Sequence, residues 1–254
     1  GNPMAEFDKQ AARGYGMGTS RAGVGALDEG LRAYMLQVYN YMAIGLAVTG
    51  VVAFGAFTMA VDGSTGQLTA FGQAIYASPL KWLIILAPLG MVFFLSARMN
   101  KMSLGGAQMA FWAFAALMGL SLSSIFLVYT GTSITRVFFI TAASFGALSL
   151  YGYTTKKDLS AWGSFLFMGL IGIIIAMVVN IFLASSALQF AISVIGVLVF
   201  AGLTAYDTQQ IKEMYSANDD GTMSGRKAIM GALRLYLDFI NMFMMLLSLF
   251  GNRN

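Results

Sequence analysis

Two aspartates stand where a charge is costly. Asp207 and Asp238 lie in the runs FAGLTAYDTQQI and LRLYLDFINMFMMLLSLF, which are otherwise apolar or nearly so. A charge near the centre of a membrane-spanning helix costs at least about 2.5–3.5 kcal/mol, so such residues face a partner or a cavity. Two carboxyl groups that meet in such a place cannot cheaply both ionise, and they share a proton. Arg98, at the end of another apolar run, could sit beside them and leave the cluster neutral. That set would make a proton-sensitive latch between two helices. When open, it would also be an oxygen-rich cavity that a hard cation such as calcium could enter. Asn241 follows Asp238 by three residues and shares its helix face. Plainer roles exist for each. Asp207 could be an interfacial residue at a helix end, Asp238 could pair with Arg234 four residues earlier, and Arg98 could be an ordinary anchor at a span end.

The elements that position these residues follow from composition. Of 254 residues, 58% are hydrophobic and 10% charged, against about 45–50% and about 25% in a soluble domain. Such a chain cannot cover a soluble surface and belongs in a bilayer. The same numbers exclude bulk disorder. Neither cysteine nor histidine occurs, which removes disulfides, thiolate nucleophiles, Ser-His-Asp triads and His- or Cys-based metal sites. No nucleic-acid partner and no bound cofactor is expected. The 18 methionines are read as core filler and lipid-facing surface.

A spanning helix takes about 20 apolar residues. The uncharged runs place spans at 33–61, 82–97, 104–129 and 137–155. Leu159–Tyr206 is uncharged for 48 residues. As one helix it would be about 72 Å long, more than twice a hydrocarbon core of about 30 Å. It must fold back, and Ala184-Ser185-Ser186-Ala187 is the expected turn, giving spans at 161–183 and 188–208. The seventh span is 235–250, broken only by Asp238. Continuous rather than alternating apolar runs indicate helices, not a barrel. The expected fold is therefore all-α, a polytopic bundle of seven transmembrane helices over residues 31–254. Pro88 should kink the second span near Ile84, and Gly45, Gly50, Gly55, Gly169 and Gly172 should be close-packing surfaces.

With the N-terminus inside, twelve of the fifteen basic residues fall on the inner side. Only Lys81, Arg136 and Arg253 fall outside. This is the positive-inside pattern, so inside is cytoplasmic. Asp207, Asp238 and Arg98 then all lie in the cytoplasmic half. Residues 1–30, with six glycines between Gly14 and Gly30, read as a flexible cytoplasmic tail. Gly1-Asn2-Pro3, ahead of Met4, reads as an expression scar.

The segment Gly202-Leu203-Thr204-Ala205-Tyr206-Asp207-Thr208-Gln209-Gln210-Ile211, followed by Leu235-Tyr236-Leu237-Asp238-Phe239-Ile240-Asn241-Met242-Phe243, resembles the bacterial branch of the Bax inhibitor-1 (transmembrane Bax inhibitor motif) family. The resemblance covers about residues 30–251. It implies a seven-helix bundle whose last helix is central and largely buried. It also implies a pH-sensitive calcium leak, with Asp207 and Asp238 as the sensor and Arg98 as the nearest match to a family arginine that binds the helix-six aspartate. Tyr206 and Gln210 of the first motif, with Asn241 of the second, would be supporting polar residues. Some members carry an acidic residue within helix two, and residues 82–97 have none. A bacterial branch is also linked to regulating a membrane-anchored quality-control protease.

The expected function is thus a pH-sensitive calcium or cation leak in a bacterial inner membrane. The expected partners are the bilayer, protons and calcium, with Asp207 and Asp238 as a transient calcium contact. The alternative is an interaction protein that modulates a membrane protease without flux. An enzyme is not expected. An intramembrane aspartyl protease also uses two aspartates on helices six and seven, but it needs glycines before the second one. Here Leu235-Tyr236-Leu237 stand there.

Overall fold

The structure is a computed structural model that describes residues 3–254, with side chains from Asp28 onward. Its seven long helices are α1 (Pro3–Ala60), α2 (Leu80–Arg98), α3 (Leu104–Leu122), α4 (Gly131–Thr154), α5 (Gly163–Leu183), α6 (Ser186–Met214) and α7 (Gly221–Phe250). Each is long and apolar enough to cross a membrane, with Asp28–Ala60 as the spanning part of α1. The chain is an all-α, seven-span membrane protein. The expected tail, residues 1–30, lies almost wholly outside the described side chains.

Local sequence sets the helix starts. Ser103, Thr130, Ser185 and Asp220 are N-caps whose side-chain oxygens accept an otherwise unpaired N–H of the first turn. The fold-back within the long uncharged run occurs at Ala184, which adopts a left-handed conformation (φ 48°). α6 starts two residues later, within the expected turn. Pro88 lies inside α2, and the helix continues through it. The segment between α1 and α2 is more ordered than a plain loop. It holds a bridge between Val61 and Leu68, a helical turn at Ala70–Gly72 and a π turn at Gln73–Ala77.

Two spans run further than the sequence suggests. α6 continues to Met214 and α7 begins at Gly221, fourteen residues before the expected span. The charges that read as flanks are in fact accommodated within the helices. Arg226 donates to the carbonyls of Asn100 (2.8 Å) and Met102 (3.2 Å), binding the start of α7 to the α2–α3 junction. Lys227 pairs with Asp219 (2.5 Å) and donates to the Met214 carbonyl (2.9 Å).

α7 occupies the middle. It packs against α6, α1, α4 and α3, and 61% of its most apolar 18-residue window is buried, against 11% in α2 and in α5. Tyr236 and Leu247 are wholly buried. Phe239 takes edge-on contacts from Phe138 and Phe145 of α4, with centroids 5.3 and 5.5 Å away. Of the five glycines expected at close helix approaches, two are at one, and tighter approaches occur elsewhere, at Gly119, Gly152 and Gly231. A Cβ on Gly45 would meet Phe111 at 3.0 Å and one on Gly169 would meet Val199 at 3.1 Å, but Gly50, Gly55 and Gly172 face open space.

Candidate functional site

α6 and α7 pack against each other, and a residue seven before the end of α6 meets one in the middle of α7. These are Asp207, 7% exposed, and Asp238, 5% exposed. Their carboxyl groups are within hydrogen-bonding reach of each other. One Asp238 oxygen, Oδ2, is buried with no hydrogen-bond partner among the described residues. The cation of the cluster is Arg234, whose Nη2 donates to Asp207 Oδ1 at 2.6 Å. Arg234 is one turn before Asp238 on α7, yet it reaches across to α6. Its guanidinium is partly exposed (37% for the side chain), while the Asp207 side chain is not (10%).

Arg98 does not take part. It ends α2 as an exposed residue and forms no ion pair among the described residues. Topology permits a residue at that depth to approach the aspartates, but α2 packs on the far side of α3 and only its tip reaches α7. The supporting residues expected from the motifs also point elsewhere. Tyr206 lies against Gly163 at the start of α5, Gln210 donates to Ser160 Oγ (3.3 Å), and Asn241 donates to the Leu237 carbonyl of its own helix (2.8 Å).

Other polar side chains hold the site. Gln209, beside Gln210 in the same motif, is the buried one. Its Nε2 donates to the Lys157 carbonyl at 2.7 Å, and its Oε1 accepts the Leu159 N–H at 2.7 Å, tying the α4–α5 loop to α6. Thr208 shares a hydrogen bond with Ser149 of α4 at 2.7 Å. Tyr236 donates to Thr49 of α1 (2.5 Å), because the Thr49 hydrogen is used on the Ala115 carbonyl of α3 (2.8 Å). Such bonds fix helix register in a medium that offers no alternative partner. Only the motif positions of Thr208, Gln209 and Tyr236 gave a sequence signal for any of them.

The chemistry of this arrangement is electrostatic. Two carboxyl groups, one guanidinium and one unpartnered oxygen can hold or release a proton and change the attraction between α6 and α7. No group of three acidic residues able to hold a metal occurs among the described residues. A calcium ion takes six to eight oxygens, so two carboxylates offer a passing contact rather than a resident site.

Fold and site together define a class: a seven-span helical membrane protein with a carboxylate pair buried between its last two helices. The chain belongs to the Bax inhibitor-1 family. The family described as "Inhibitor of apoptosis-promoting Bax1" matches residues 31–254. The chain is 49% identical over 226 residues to inner membrane protein YbhL of Escherichia coli (strain K12), covering 88% of this chain and 93% of that protein. It is 49% identical over 226 residues to protein RP147 of Rickettsia prowazekii, covering 89% and 92%. A protein of Caulobacter vibrioides is 43% identical over 254 residues, covering 98% of each.

Proposed function

We propose that this protein is a pH-sensitive cation leak, with calcium as the permeant ion, whose switch is the Asp207–Asp238 pair. The observation that carries the reading is the pair itself. Two carboxyl groups are buried in contact between the central helix and its main neighbour, with an oxygen left unpartnered. In the closed arrangement one proton is held between them, and Arg234 balances the remaining charge. Loss of that proton sets two negative charges against each other in a low-dielectric site, where repulsion is several-fold stronger than in water. The α6–α7 contact then loosens and exposes an oxygen-lined path to a cation. Arg234, rather than Arg98, is the residue proposed to clasp the closed state.

We place the N-terminus and the aspartate-bearing end in the cytoplasm on the charge asymmetry. The membrane is proposed to be the bacterial inner membrane, as in the name of the YbhL relative. The reading is of a non-enzyme that needs no cofactor. The bulky Leu235-Tyr236-Leu237 stand where an aspartyl protease needs glycines, and Tyr236 is wholly buried.

Calcium entry into dye-loaded liposomes, measured across a pH series, tests this. Wild type should conduct in a pH-dependent way, and Asp207→Asn and Asp238→Asn should each flatten that dependence. Absence of flux from folded wild-type protein at every pH would sink the leak. It would favour the alternative, a modulator of a membrane-anchored quality-control protease, with the aspartates as a structural clasp.

A further inference from the structure

A cavity of about 660 Å³ opens between α1 and α4, well within the range of about 300–1,000 Å³ typical of ligand sites. Its wall is apolar, formed by residues such as Met42, Leu46, Phe138, Phe145 and Phe239. Leu36 and Leu150, 53% and 60% exposed, flank its lateral mouth, which faces the bilayer. At about 30 Å³ per water-sized group, it holds about twenty such groups, room for a headgroup with much of one acyl chain and not for two chains.

One end of the cavity is polar, and its hydrogens can be counted. Thr208 uses its single hydroxyl hydrogen on the Thr204 carbonyl (2.7 Å). Ser149 must therefore donate to Thr208 (2.7 Å), and Tyr39 must donate to Ser149 (2.5 Å). Tyr39 and Ser149 both line the cavity. The Tyr39 oxygen has no donor of its own among the described residues, so it presents an unfilled acceptor. A phospholipid ester carbonyl cannot fill it, since that group only accepts. A ligand hydroxyl can. Two turns toward the N-terminal end of the span stands Arg32, exposed and without an ion pair among the described residues, although Asp28 and Glu29 lie on the preceding turn. The Tyr153 hydroxyl, also without a partner among the described residues, lines the same end. Lys212 lies 5.1 Å from the Tyr153 ring centroid and adds positive charge.

We propose that this crevice binds a monoacyl phospholipid, with its single chain in the cavity, its free glycerol hydroxyl donating to Tyr39, and its phosphate between Arg32 and Tyr153. The site is separate from the aspartate pair and does not depend on the leak. Its polar floor ends on Thr208, next to Asp207, so occupancy bears on the position of α6.

The test is native mass spectrometry of the detergent-solubilised full chain, titrated with 1-oleoyl lysophosphatidic acid, whose only hydroxyl besides the phosphate is the glycerol one. Wild type should take up one equivalent. The 2-O-methyl analogue should bind about tenfold more weakly, the loss of one hydrogen bond to a part-buried acceptor. In Tyr39→Phe that preference should vanish. Arg32→Gln should weaken binding about tenfold. Gly146 lines the cavity and a Cβ there meets nothing within 4 Å, so Gly146→Phe should fill the space in a folded protein and abolish binding. Uptake of several equivalents, equal binding of dioleoyl phosphatidic acid, or binding unchanged in Gly146→Phe would overturn the proposal and leave only a shell of boundary lipid.

Discussion

α5 and α7 are both single spans, and they solve opposite problems. α5 is the most apolar span in the chain, touches mainly α6, and has 11% of its central window buried. α7 carries Arg226, Lys227, Arg234, Asp238 and Asn241, and has 61% buried. In water the most apolar helix would be the core. In a bilayer the lipid is as apolar as leucine, so burying leucine gains little and the centre goes to the helix whose polar groups need partners. Phe182 of α5 is 84% exposed, while Tyr236 of α7 is wholly buried and hydrogen-bonded.

The largest expected effect tests that contrast directly. Tyr236→Ala removes a buried ring and the donor to Thr49, and should lower stability to denaturant in detergent micelles by about 3–5 kcal/mol, the range for buried aromatics. Phe182→Ala removes a ring of similar size from the lipid face and should stay within about 0.5 kcal/mol of wild type. Equal losses in the two would end the distinction between a packed polar centre and an apolar rim.

The same contrast explains what was legible in the sequence. Seven spans could be read because uncharged runs need a bilayer; length required a fold-back in the long run, and the polar Ala184-Ser185-Ser186-Ala187 located it. The extent of α7 could not. Arg226, Lys227 and Arg234 look like flanking charges until their partners are seen, and those partners are carbonyls and carboxylates from other helices. Asp207 and Asp238 were visible as misplaced charges. Their cation was not, because proximity along one helix assigns Arg234 to Asp238, and depth alone admits Arg98. Which way a side chain leaves its helix decides the matter, and in α6 apolar residues on nearly every face erase the pattern that would show it. The choice of Gln209 over Gln210 as the buried glutamine has the same cause.

Arg234→Gln should sharpen the picture of the central helix. It leaves Asp207 with no cation, and the cost should be about 1–3 kcal/mol, below the value for a fully buried pair because the guanidinium is partly exposed. Arg98→Gln should cost less than about 0.5 kcal/mol. Thermal melts of the two variants in the same detergent check this, and a larger loss from Arg98→Gln would return that residue to the site.

The smallest effects should separate in sign. A Cβ on Gly152 of α4 would run into the backbone carbonyl of Ala205 on α6, which cannot move aside like a side chain. Overpacking of this kind costs about 1–3 kcal/mol, against a helix-propensity gain of about 1 kcal/mol for Gly→Ala. Gly152→Ala should therefore destabilise. Gly172 of α5 meets nothing within 4 Å, so Gly172→Ala keeps only the propensity gain and should leave the melting temperature unchanged or slightly raised. Both glycines sit in apolar spans and look alike in the sequence. Opposite signs would show that α4 belongs with the tightly registered centre and α5 with the rim. A loss at Gly172 matching that at Gly152 would mean that α5 is held as closely as the helices around α7.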